Sequence, residues 1–180
     1  MRTHDWRKDL QAEQRQADEV KKRLTQLFPT AVSVEKASVI DDKAGTDFWL
    51  TFPAGRLGVD MKLRGVDPME WGRDDLALEH WSVYESRRVG WTRDPDKRTD
   101  LTIWWWRPTD RIAILPYRIL RDVFSDNWKD WAWKYGEQVQ DNGNYSSRAV
   151  FVPAVVVTVE IEKHPGYVAE IERLAEIILY

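Results

Sequence analysis

The stretch GTDFWLTFPAGRLGVDMKLR, residues 45–64, decides how the rest of the chain is read. Two runs rich in aromatic and branched residues, about 46–53 and 56–64, flank the turn signal Pro53-Ala54-Gly55, which predicts a β-hairpin. Side chains alternate faces along a strand. Val59, Met61 and Leu63 therefore point one way, and Asp60, Lys62 and Arg64 the other. Asp47 stands at the start of the first strand. A sheet that only had to fold would have little use for an acid, an amine and a guanidinium in one row. Two carboxylates with a lysine beside them can hold a hard divalent cation next to a phosphate. The row points to phosphodiester chemistry.

Working outward, residues 6–28 read as an amphipathic helix, with Trp6, Leu10, Ala17, Val20, Leu24 and Leu27 near helical spacing and Pro29 as its stop. Residues 31–40 are expected to be extended and 41–45 a loop. Beyond the hairpin, 65–75 reads as a polar loop, 76–84 as a strand and 85–99 as an exposed basic loop. Strands follow at 101–106 and 111–115. A helix begins at Pro116 and runs to about Phe124, and a further helix capped by Ser125 or Asp126 ends at Gly136. The β-branched run VVVTVEI places a strand over 149–160. A closing helix spans 167–179. With no repeat, low-complexity tract or linker, residues 1–180 read as one α/β domain, a central mixed sheet flanked by helices.

Composition narrows the options. A chain of 180 residues can bury a sizeable single core. Zero cysteines exclude disulfides and thiolate metal sites. No apolar run approaches a membrane span, and MRTHDWRKDL lacks the apolar core of a signal peptide, so a cytoplasmic protein with no membrane contact is expected. A net charge of −3 argues against a protein that coats DNA, yet RRVGWTRDPDKR, residues 87–98, carries five positive and two negative side chains. Such a local basic patch suits transient contact with a nucleic acid. Phosphate-binding glycine loops, HExxH and GxSxG are all absent, which leaves metal-assisted hydrolysis without a nucleotide cofactor.

Asp47, then about a dozen positions, then Asp60-x-Lys62 resembles the core motif of the PD-(D/E)XK nuclease superfamily. The similarity extends over about residues 41–121, through Asp75-Leu76-Ala77-Leu78-Glu79, Gly90-Trp91, the run DPDKRTD and the strand 101–106. That order is similar to compact nuclease-fold proteins of phages and mobile elements. Thr46-Asp47 stands where many members carry Pro-Asp. The resemblance implies a restriction-endonuclease-like fold and a Mg2+ or Mn2+ ion held by Asp47 and Asp60. It also implies that Lys62 orients or deprotonates the attacking water or neutralises charge on the phosphate. DNA rather than RNA is the expected substrate, and a homodimer or a protein partner is compatible with it. A helix glutamate completes the site in some members; Glu13 and Glu19 are both available, and neither is singled out.

The remaining candidates have plainer readings beside the functional ones. Glu79, amid apolar neighbours in LALEHW, is either a third metal-binding acid or the partner of Arg73 or Arg87. His80, facing the other way, is expected to be structural. Arg64 is expected to pair with a phosphate or an acid. Lys97 and Asp100 either form an exposed charged turn, or respectively reach a phosphate and brace the site. Arg87, Arg88, Arg93 and Arg98 would grip a nucleic-acid backbone, and Trp91 would stack on a base. Most of the eleven tryptophans are expected to be packing groups. Because Trp104, Trp105 and Trp106 alternate faces, they cannot form a carbohydrate platform together. The rival to an enzyme is a nuclease-like fold that binds or inhibits a partner without cutting.

Overall fold

The computed structural model describes residues 6–180, with side chains from residue 12 onward. Trp6 and Leu10, assigned above to a helix face, lie outside the described side chains. In chain order the elements are α1 (Trp6–Leu27), β1 (Ser33–Lys36), the single-turn α2 (Val39–Lys43), β2 (Phe48–Phe52), β3 (Gly55–Arg64), β4 (Asp75–Val83), β5 (Arg88–Val89), β6 (Leu101–Trp106) and β7 (Arg111–Pro116). They continue as α3 (Tyr117–Tyr135), β8 (Glu137–Asp141), β9 (Ser146–Pro153), α4 (Ala154–Lys163) and α5 (Tyr167–Leu179). Single turns of 3₁₀ helix span Pro68–Trp71 and Trp91–Arg93.

The hairpin forms as its alternation requires. β2 and β3 pair antiparallel with Phe48 opposite Val59. Strand order in the main sheet is β1-β2-β3-β6-β7, and β3 runs parallel to β6, so the sheet is mixed. One face, with Phe48, Leu50, Leu57, Val59, Ile103 and Trp105, packs on Ala17, Val20 and Leu24 of α1. Met61 and Leu63 join that side. The other face, with Trp104 and Trp106, packs on α3. This is the expected α/β domain with a mixed sheet flanked by helices.

A second sheet was not anticipated. Its order is β5-β4-β9-β8, all antiparallel, and it draws two strands from the crossover between β3 and β6 and two from beyond α3. Leu76, Leu78, Val150 and Val152 pack its inner face against α3 and α4. Four other readings need correction. Residues 39–43, expected to be extended chain and loop, form the single-turn α2. VVVTVEI is helical: the strand ends at Pro153, and Val157 and Ile161, one turn apart, bury against α3. Their burial outweighs a β preference worth less than about 1 kcal/mol per residue. The two helices expected over 116–135 are one, with Ser125 and Asp126 in mid-helix. Residues 85–99 are an exposed loop only in part: Glu85 to Arg88, Pro95, Asp96 and Arg98 are exposed, but Arg88 and Val89 pair with β4, Thr92 is buried, and the Lys97 side chain is only 5% exposed. No described helix is long and apolar enough to cross a membrane.

Candidate active site

Asp60 lies mid-strand in β3, buried on the face turned toward the second sheet. Its register partner on β6 is Thr102, and Lys62 and Arg64 continue the row opposite Trp104 and Trp106. Lys62 Nζ stands 2.8 Å from Asp60 Oδ1, and Lys97 Nζ stands 3.0 Å from Oδ2. Burial alone would push the Asp60 carboxyl up. The charges of Lys62 and Lys97, with their hydrogen bonds, outweigh it and hold the carboxyl below its usual range.

Asp47 is fixed by the strand it precedes. Its backbone N–H donates to Val59 O at 2.8 Å, and its Oδ2 accepts from Met61 N–H at 2.7 Å. These two bonds bracket Asp60 on the neighbouring strand. Burial first, and the Asp60 charge second, push the Asp47 carboxyl up to about 7. The Asp60 charge opposes ionisation of Asp47, and neighbouring carboxylates of this kind offer the oxygen ligands a hard cation takes.

Lys97 arrives from a segment laced onto the hairpin. Arg98 N–H donates to Ala44 O at 2.7 Å, the Thr46 hydroxyl donates to Arg98 O, and the Thr99 hydroxyl donates to Gly58 O. Asp100 Oδ2 accepts from Gly58 N–H at 2.8 Å, and its Oδ1 pairs with Arg173. Asp100 therefore braces the site. Gly45 lets the lysine pass: at φ +92° it occupies the left-handed region, and a Cβ there would lie 2.4 Å from Lys97 Cγ. Burial lowers the Lys97 ammonium below its ordinary range.

Glu79 belongs to the second sheet. It lines a cavity of about 360 Å³ together with Arg64 and Trp91, and its Oε2 accepts from Trp91 N–H at 3.2 Å. Burial raises its carboxyl. Arg73 pairs with Asp75 instead, and Arg87 lies over the Tyr84 ring, so neither expected ion pair forms with Glu79. Nor do the three acids converge. Among the described residues no group of three or more His, Cys, Asp or Glu side chains forms a metal cage. A magnesium ion needs only one or two carboxylates, with waters and substrate oxygens completing its shell. Asp47 and Asp60 are two such carboxylates, whereas Glu79 stands apart on the second sheet.

Of the proposed substrate contacts, Lys97 sits on Asp60, while Arg64 and Trp91 line the cavity. Lys62 Nζ stands 4.2 Å above the centre of the Trp91 ring, and Trp91 packs on Trp104. Arg88 is close enough to act electrostatically on Glu79. Arg98 is exposed. Arg93 is turned away, packed over Trp81 and Trp128. His80 is structural as expected, buried and stacked on Trp128 at 4.9 Å. Of the helix acids, Glu13 pairs with Lys36 beside a cavity of about 230 Å³ that Asp47 also lines, and Glu19 pairs with Arg107.

Sequence reading missed two groups. Tyr117, buried, donates its hydroxyl to Trp91 O at 2.9 Å and Asp94 O at 2.8 Å, fixing the turn that carries Trp91. Gln138 and Gln140 of β8 face the cavity. Their spacing in EQVQD was the only signal, with no apolar alternation to mark a strand.

Neither a family profile nor a curated protein sequence matches the chain. Among solved structures it is similar to a nuclease from a fusselovirus, with a TM-score of 0.32 and 9% identity over 95% of this chain and 98% of the other.

Proposed function

We propose that the protein is a Mg2+- or Mn2+-dependent nuclease of the PD-(D/E)XK type that hydrolyses phosphodiester bonds, in DNA rather than RNA. One observation carries this reading: a buried Asp60 with Lys62 at 2.8 Å, beside an Asp47 whose carboxyl is pushed up by burial and by that same acid. Asp47 and Asp60 would hold the ion, which when bound would polarise the phosphoryl group and lower the pKa of a bound water. Lys62, on the same face, neutralises charge developing on the phosphate. Arg64 and Arg88 offer guanidinium groups to the strand's backbone.

A second reading has its own support. Both oxygens of Asp60 are already engaged by ammonium groups, as in a structural ion triad, which fits a nuclease-like scaffold that binds without cutting. Plasmid and single-stranded DNA incubated with Mg2+ or Mn2+ separate the two. Cleavage by the wild type that Asp60→Asn and Lys62→Met each reduce by at least about 100-fold supports the nuclease. Equal, negligible cleavage by all three proteins with either metal overturns it.

A further inference from the structure

The cavity beside the acid–lysine row has the build of a base pocket. Register places Ala77, Glu79, Ala149, Phe151, Gln138 and Gln140 on one face of the second sheet, since Ala77 pairs with Phe151, Glu79 with Ala149, and Gln138 with Ala149 from the other side. The opposite face, with Leu76, Leu78, Val150 and Val152, is packed in the core. The cavity face stays partly exposed, and its alanines leave a shallow floor. Phe151 and Trp91 supply aromatic surface. Gln138 and Gln140 stand on the β8 side, and the Gln140 amide donates to Asn142 Oδ1 at 3.2 Å, which fixes its orientation. Arg64 joins the cavity to the Asp60–Lys62 row.

Each part has a chemical counterpart in one nucleotide. Aromatic rings stack on a base face, which is exposed only when the base is unpaired. Side-chain amides offer a donor and an acceptor together, matching a base edge. A guanidinium at the rim suits the adjoining phosphate. At about 360 Å³ the cavity lies at the small end of ligand clefts. It has room for one base with its sugar.

We propose that this cavity receives a single unpaired nucleotide next to the bond to be cut, so that the substrate is a single strand, or a flap or loop within a duplex. This rests on the nuclease reading for the cut but not for the binding, and the test keeps them apart. In EDTA, where no cleavage occurs, a labelled short oligonucleotide and its duplex are titrated with the protein and followed by anisotropy. The single strand is expected to bind at least about tenfold more tightly than the duplex. The double variant Gln138→Ala/Gln140→Ala and the single variant Phe151→Leu should each lose most of that preference. Melting temperatures recorded alongside show whether each variant is folded, and Gln138 and Gln140, both exposed, leave the core intact. Equal affinity for the two forms, or a preference untouched by the glutamine pair, overturns the base pocket. A preference that depends on those residues, in a protein that cuts nothing, upholds the pocket and overturns the nuclease.

Discussion

Asp60 holds two lysines, and removing it exposes what each partner contributes. Asp60→Ala leaves two ammonium groups, one nearly buried, without a counter-charge. It should cost about 3 kcal/mol in urea unfolding, whereas Lys62→Met, at the more exposed position, should cost less. Asp47 behaves in the opposite way. Its folded-state carboxyl titrates near 7, well above its unfolded value, so the folded chain binds the extra proton and stability falls as pH rises from about 4 to about 7. In metal-free buffer Asp47→Asn, which can still accept from Met61 N–H, should therefore raise the melting temperature at about pH 8 and flatten that slope. A lower melting temperature for the variant would show that the ionised acid is not under strain. Asp67 carries the reverse sign. Its hydrogen bonds from Arg111 hold its carboxyl well below the usual range, with further bonds from Thr109 and Met69. The stability it contributes is present above about pH 4 and lost as pH falls further. Asp67→Asn should cost about 2 kcal/mol at neutral pH, and the gap from wild type should close in acid.

Two glycines set how the site's elements approach each other. A Cβ on Gly90 would lie 2.4 Å from the carbonyl oxygen of Glu79, a backbone atom that cannot swing aside. Gly90→Ala should destabilise the fold by about 2 kcal/mol or more in denaturant unfolding and should also weaken the proposed cleavage, because it shifts Trp91 against Glu79. An unchanged midpoint would mean that the turn is not held as tightly as its contacts indicate. The hairpin of β2 and β3 was legible because its two-residue alternation and its Pro-Ala-Gly turn are local signals, and Asp47, Asp60 and Lys62 came with it. The second sheet was not. Its strands pair residues 75–83 with 146–153, and nothing in either stretch names its partner. β8 was hidden for a different reason: every residue of EQVQD is exposed, so it carries no buried stripe to read. Lys97 looked like a solvated loop residue because its burial depends on Gly45, far off in sequence, leaving room for it.

For the molecule as a whole, the site lies where the two sheets meet, with α1 packed on the far side of the main sheet and α3 filling the space between the sheets. Trp104, Trp105, Trp106 and Trp131 are buried in that packing, while Trp91 sits at the edge of the cavity and Trp71 and Trp133 are exposed. Acids from the hairpin, lysines from β3 and the segment after Trp91, and a base-sized cavity on the second sheet are thereby brought side by side. Everything proposed for hydrolysis requires that Asp47 and Asp60 together accept a divalent ion. Crystals soaked in Mn2+ at about pH 8, where Asp47 is ionised, test this through anomalous scattering. An anomalous peak within bonding distance of both carboxylates, with Lys97 drawn off Asp60 Oδ2 and no peak in crystals of Asp60→Asn, is the expected result. Both lysines still seated on Asp60, with no peak between the acids, would contradict it.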